Sequence, residues 1–232
     1  MTPANGAIRV WGIIPAAGLG RRMGLPKQTL RYRDSTIGGS VMRTLLDAGL
    51  DGVVVVTRTD LVDALDLPND PKVEIAVNDD AHSEMIDSIR IGLARLVGEG
   101  VGDIQSTECA RASDDPAPTA APPHSLFAIR PLPFKTDGVL VVPADMPALT
   151  AQTCRTCVAA FITDPKRIVI ATHEGKRGHP IIFPLALREA INNLEGGLRV
   201  LPRIHADRVF LVEVVDPGAF HDIDTPEDFE QA

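Results

Sequence analysis

Pro15-Ala-Ala-Gly-Leu-Gly-Arg-Arg-Met-Gly-Leu-Pro-Lys27, directly behind the apolar run Ile8 to Ile14, is the stretch on which the fold turns. A β-branched run that ends in proline and small residues reads as a buried strand running out into a loop. Glycines in that loop let backbone amides approach anionic oxygens closely, and Arg21, Arg22 and Lys27 supply compensating charge. The loop reads as a phosphate cradle. It lacks the Gly-Lys-Ser/Thr of a P-loop, and Gly18, Gly20 and Gly24 are spaced one residue too wide for the dinucleotide pattern. Ligands of open α/β sheets gather beyond the carboxyl ends of the strands, which is where this loop stands.

Working outward, apolar runs at Val53 to Val56, Val73 to Val77, Val139 to Val142, Ile168 to Ile170 and Val209 to Val215 predict further buried strands. Helical periodicity over Ser40 to Ala48, Met85 to Val97, Ala151 to Phe161, Leu185 to Asn192 and Leu198 to His205 predicts helices between them. Strand and helix in alternation predict the α/β class: a three-layer α/β/α Rossmann-like sandwich with a mostly parallel sheet and right-handed crossovers. Gly102 to Asp137, rich in Ala, Pro, Ser and Asp, holds no long periodic run and is expected to be a mobile surface insertion.

A length of 232 residues with 44% apolar content suits one domain over residues 1–232. The net charge of -8 excludes a generic binder of nucleic-acid backbones or anionic membranes, because both need a sustained basic surface. No run approaches the apolar length of a membrane span, and Met1 to Gly6 lacks the features of a signal peptide, so a cytoplasmic protein is expected. Cys109, Cys154 and Cys157 are too few for a disulfide framework. Cys154-Arg-Thr-Cys157 has no second pair to complete a zinc site and reads as small residues on a helix.

Val142-Pro-Ala-Asp-Met-Pro147 ends another buried run and sets Asp145 at the same sheet edge as the glycine loop. Alone, an aspartate between two prolines is a turn residue; beside a phosphate loop it supplies the carboxylate that a magnesium triphosphate needs. His221-Asp-Ile-Asp-Thr-Pro-Glu-Asp-Phe229 adds more acid. Thr225 and Pro226 read as the cap and first residue of a terminal helix, which accounts for Glu227 and Asp228 as first-turn acids. Asp222 and Asp224 precede the cap and stand two apart, so in extended chain both face one cation, Asp224 being the stronger ligand candidate. His179, in a loop feeding Ile181 to Phe183, reads first as a structural hydrogen-bonding group and otherwise as an acceptor contact. No other histidine pairs as a nucleophile and base would.

Ala16-Ala-Gly-Leu-Gly-Arg-Arg-Met-Gly-Leu-Pro-Lys27, Pro143-Ala-Asp-Met-Pro147, Gly178-His-Pro-Ile-Ile-Phe183 and Asp222-Ile-Asp-Thr-Pro-Glu-Asp228 resemble, in kind and order, the motifs of the molybdenum cofactor nucleotidyltransferases, the MobA-like group. The resemblance is closest to the cytidylyltransferase branch, which makes molybdopterin cytosine dinucleotide, and it spans nearly the whole chain outside Gly102 to Asp137. It implies transfer of CMP from CTP to the phosphate of molybdopterin, dependent on Mg2+, with pyrophosphate released and a molybdenum-hydroxylase apoenzyme as a partner. It further implies that Ala16, Ala17, Gly18, Arg22 and Lys27 hold the nucleotide, that Asp145 and a carboxylate near Asp224 bind magnesium, and that Asn78 to Ser88 recognises the base.

Departures from the family pattern are Glu84, where a glycine is usual before Met85, and Glu195-Gly-Gly-Leu-Arg199, a loose version of its Gly-Asp-x-Gly-Ala-Arg. Other acceptors stay open: a sugar phosphate, a phospholactate-like acid or an isoprenoid precursor. A non-catalytic carrier of the molybdenum cofactor is a further alternative, disfavoured by Lys27 standing with Asp145 and Asp224. Nucleotidyl transfer asks mainly for positioning and charge, so Arg22, Lys27 and Asp145 suffice as catalytic groups without a side-chain nucleophile.

Overall fold

The computed structural model describes residues 7–20, 23–98 and 136–231. Arg21, Arg22, Cys109 and the expected insertion through residue 135 lie outside the described residues. In chain order the elements are strand β1 (Val10–Pro15), the short hairpin β2 (Arg31–Tyr32) and β3 (Ser35–Thr36), helix α1 (Ile37–Asp47), strands β4 (Gly52–Thr57) and β5 (Val73–Val77), and helix α2 (Met85–Val97). Strand β6 (Gly138–Val141), helix α3 (Ala151–Thr163), strands β7 (Ile168–His173) and β8 (Lys176–Pro184), helices α4 (Arg188–Asn192) and α5 (Leu201–Ile204), strand β9 (Val209–Glu213) and helix α6 (Pro226–Gln231) follow.

Seven strands form one sheet in the order β5-β4-β1-β6-β8-β7-β9. All pairings are parallel except those of β8, which runs antiparallel to both β6 and β7. Side chains alternate between two apolar layers, as a strand covered on both faces requires. Val53, Val55, Leu140 and Val142 pack with α1 and α3 residues such as Leu45 and Phe161. Val54, Val56, Val139 and Val141 pack on the other face with α2 and α4 residues such as Leu93 and Ile191. This is the expected three-layer α/β/α sandwich. Among the described residues no helix is long and apolar enough to cross a membrane.

Several boundaries differ from those expected, each for a local reason. Helix α1 begins at Ile37, three residues before Ser40, because Thr36 Oγ1 accepts the Gly39 N–H at 3.0 Å; the low propensity of Gly38-Gly39 hides that start. Gly178 to Phe183 was expected as a loop feeding a short run, whereas it lies within the nine-residue strand β8. Its turn is Glu174-Gly175, with φ of 49° and 79° in the left-handed region, so the chain reverses tightly and β8 comes back antiparallel. The expected helices at Leu185 and Leu198 each open as a 3₁₀ turn before α4 and α5, and Pro202, lacking an N–H, fits only in the first turn of α5. Thr136 and Asp137, assigned above to the insertion, belong to the fold. Thr136 is buried, and Asp137 Oδ2 accepts the Arg9 N–H at 3.1 Å at the entry to β6.

One buried carboxylate ties the start of α3 to the segment that leads to Asp222 and Asp224. Asp216 Oδ2 accepts from Thr150 N at 3.0 Å, Thr150 Oγ1 at 2.7 Å and Thr153 Oγ1 at 2.6 Å, while Oδ1 accepts from Gly218 N at 3.0 Å. Removing it leaves the buried donors of Thr153 and Gly218 without this partner and loosens the exposed Thr150 beside them, so Asp216→Ala is expected to cost about 2–4 kcal/mol of unfolding free energy in urea. A loss below about 0.5 kcal/mol, the range of an indifferent surface change, would contradict this role.

Candidate functional site

Strand order reverses beside β1: β4 and β5 build out on one side of it and β6 on the other. The carboxyl ends of β1 and β6 therefore border a crevice, the place where doubly wound sheets receive ligands. A cleft of about 760 Å³ opens there, lined by Pro15, Ala16, Ala17, Gly18, Lys27 and Asp145 among others.

The loop after β1 is held from beneath. Gln28 is buried, and its Nε2 donates to the carbonyls of both Ala16 and Gly18 at 2.8 Å. The Ala16 N–H donates to Val56 O at 2.7 Å. Gly20 has φ of 60°, and an added Cβ would lie 1.8 Å from Leu25 O, so only glycine fits there. Gly20 shapes the loop rather than lining the cleft, whereas Ala16, Ala17 and Gly18 line it.

Three carboxylates meet at the other wall. The Ile223 N–H donates to Asp145 O at 2.9 Å, splicing the C-terminal segment onto the chain just beyond β6. Ile223 buries its side chain with Tyr32 and Ile37, so Asp222 and Asp224 on either side of it turn the opposite way, toward Asp145. One oxygen from each of Asp145, Asp222 and Asp224 lies within 4.8 Å of the others. Thr225 caps α6, its Oγ1 accepting the Asp228 N–H at 3.2 Å. Asp228 Oδ2 in return accepts the N–H groups of Asp224 and Thr225 at 3.1 and 2.8 Å, and the Thr225 and Asp224 bonds hold its carboxyl below the usual carboxylate range.

Lys27 reaches between the acids, its Nζ 2.6 Å from Asp145 Oδ2 and 2.5 Å from Asp224 Oδ1. Burial works against its charge, but the Asp145 and Asp224 carboxylates outweigh that, and the ammonium is held above its ordinary pKa. Asp145 Oδ1 is buried with no hydrogen-bond partner. An unpaired anionic oxygen beside two further carboxylates fits a hard divalent cation, which takes oxygen ligands.

The remaining wall comes from the loop before α2 and the first turn of that helix, with Asp80, His82, Ser83, Glu84, Met85 and Ser88 on the cleft. Asn78 stands behind that wall. Its Nδ2 donates to Ser83 Oγ at 3.1 Å and Ser88 Oγ at 2.9 Å, so it sets the loop's shape and leaves the lining to Ser83 and Ser88. His179 lines a smaller adjoining cleft of about 230 Å³ with Met85, Met146, Arg177 and Phe220. Its Nδ1 lies 3.3 Å from Val141 O, and burial pushes its pKa down against the opposing pull of that carbonyl, Asp145 and Asp222. Cys154 and Cys157 are buried free thiols, pushed up to about 12 by burial, and serve as packing on α3, as the sequence suggested.

Two contributors were not singled out in the sequence. Gln28 carries no motif of its own, and only its place next to Lys27 hinted at a role. Arg199, on the cleft from across α2, sits in the loosely matching Glu195 to Arg199 segment.

Comparison with known proteins places the chain in a family and matches its fold to solved structures. A family model described as a MobA-like NTP transferase domain matches residues 12–209. The purine catabolism protein PucB of Bacillus subtilis (strain 168) is 25% identical over 94% of this chain and 93% of its own length. Rv0371c from Mycobacterium tuberculosis H37Rv superposes with a TM-score of 0.68 at 20% identity, covering 98% of each chain. A nucleotidyl transferase from Methanothermobacter, Mth528, superposes with a TM-score of 0.67 at 18% identity, over 96% of this chain and 95% of its own. Rv0371c has also been solved in complex with manganese; that structure superposes with a TM-score of 0.64 at 20% identity, covering 96% of this chain and 97% of its own.

Because Gln28 Nε2 bridges two loop carbonyls, that of Ala16 (shared with Thr57 Oγ1 at 3.3 Å) and that of Gly18, Gln28→Ala is expected to lower unfolding free energy by about 1–3 kcal/mol. It should also speed limited proteolysis between Gly18 and Lys27. An unchanged cleavage rate would remove Gln28 from its place as the strut of the loop.

Proposed function

We propose, for a chain that belongs to the MobA-like NTP transferase family, a specific form of its nucleotidyltransferase activity: transfer of CMP from CTP to the phosphate of molybdopterin, with release of pyrophosphate. The observation that carries this reading is the meeting of a glycine loop, Lys27 and three carboxylates on one cleft. The backbone of Ala16 to Gly18 and the charges of Lys27 and Arg22 would receive the triphosphate. Asp145 and Asp224, with Asp222, would hold Mg2+. When bound there the ion offsets charge at the α-phosphate and raises its electrophilicity. Lys27 and the loop amides are suited to the charge that builds on departing pyrophosphate.

The smaller cleft suits the acceptor because it shares Asp145 and Asp222 with the main one, so an acceptor phosphate seated there faces the nucleotide. Arg177 offers that phosphate a cation and Phe220 and Met146 offer the ring system apolar contact, with His179 as a hydrogen-bonding neighbour. The base is assigned to the Ser83 to Ser88 wall. Polar groups fixed by Asn78 would go unpaired against a wrong base, which is how such sites discriminate.

Two measurements test the assignment. Asp145→Asn removes a ligand charge at constant side-chain size and is expected to lower pyrophosphate release by about 10²–10³-fold or more with an unchanged unfolding transition. A near-normal rate at saturating Mg2+ would remove Asp145 from the site. In competition at equal concentration with molybdopterin present, CTP should be consumed ahead of GTP; predominant guanylyl transfer would overturn the base assignment alone.

A further inference from the structure

Lys27 occupies the carboxylate corner to which the metal ion is assigned above. Its ammonium lies 2.6 Å from Asp145 Oδ2 and 2.5 Å from Asp224 Oδ1, and these are two of the three side chains whose oxygens gather within 4.8 Å. A divalent cation that takes the same two oxygens cannot leave the ammonium in place, because two like charges would then share one half-buried corner. Lysine is also an incomplete filler, since Asp145 Oδ1 stays buried without a partner while Lys27 occupies Oδ2.

We infer that Lys27 is a placeholder cation: it keeps Asp145 and Asp224 at ligand spacing and has to release them before a divalent cation binds. This rests on the metal reading given under Proposed function. The free protein then takes the ion weakly, because each binding event breaks two charge-assisted contacts. A triphosphate changes the balance, since its oxygens receive the released ammonium. By linkage the ion and the nucleotide each strengthen the other's binding, with Lys27 as the moving part. The same side chain thus serves the carboxylates in the free protein and the phosphates in the complex.

The test uses the full-length protein and Mn2+ alone, with the free ion followed by electron paramagnetic resonance. Lys27→Gln should bind Mn2+ about tenfold or more tighter than wild type, while Lys27→Arg, which keeps the charge, stays within about threefold. Arg199→Gln removes a cleft cation without a contact to the three carboxylates; if it tightens Mn2+ as much as Lys27→Gln does, a diffuse field and not occupancy is at work, and the inference fails. An affinity in Lys27→Gln equal to or weaker than wild type also overturns it. Unmodified protein gives an independent reading that needs no variant to fold. Mg2+ alone should raise the labelling of Lys27 by an amine reagent, read by mass spectrometry of its peptide, and unchanged or slower labelling would refute release. Asp145→Asn and Asp224→Asn bear on the metal site itself: if both bind Mn2+ like wild type, the metal reading falls, whatever Lys27 does.

Discussion

One backbone hydrogen bond, from Ile223 N–H to Asp145 O at 2.9 Å, joins the two halves of the site. Asp145 comes to the cleft just beyond β6, at the centre of the sheet, whereas Asp222 and Asp224 arrive at the far end of the chain, beyond the edge strand β9. Without that splice the acids would be separate surface charges. With it, the alternation of an extended segment sends Ile223 into a small apolar cluster with Tyr32 and Ile37 and turns its neighbours toward Asp145. Asp216 fixes the approach to this segment and the Thr225 cap fixes its exit, so the carboxylates are positioned by backbone on both sides.

Charge explains how an acidic chain can serve an anionic substrate. Among the described residues the main cleft carries Asp80, Glu84, Asp145, Asp222 and Asp224 against Lys27 and Arg199. Such a surface repels a triphosphate unless a cation is present, and burial sharpens the effect by lowering the local dielectric. The carboxylates that would repel the substrate in the ion's absence are the ones placed to hold it. On the proposed metal reading, nucleotide recognition would be conditional on the ion, which a uniformly basic cleft would not achieve.

Much of this was legible in the sequence because its signals are local. Strand, loop and helix could be read from periodicity, and the Asp222 and Asp224 pair from a spacing of two. The glycine loop could be read from its composition. What escaped depends on contacts that no spacing encodes. Strand β8 was hidden because its first half, Lys176 to His179, is polar, and its direction is set by a two-residue turn at Glu174-Gly175. The reach of Lys27 to Asp224 spans 197 positions, and the motifs alone gave Lys27 only phosphates for partners. Asn78 was assigned to the nucleotide by resemblance, whereas its amide is spent on Ser83 and Ser88 and its influence passes through them.

The central claim is attack at the α-phosphorus with Lys27, Asp145 and Asp224 around it, and the fate of the nucleotide's phosphates tests it most directly. With CTP labelled at the α-phosphate and molybdopterin as acceptor, the label should pass into a dinucleotide product while unlabelled pyrophosphate leaves in equal amount. Release of orthophosphate, with the label remaining on CDP, would mean cleavage at the γ-phosphate and would contradict the account.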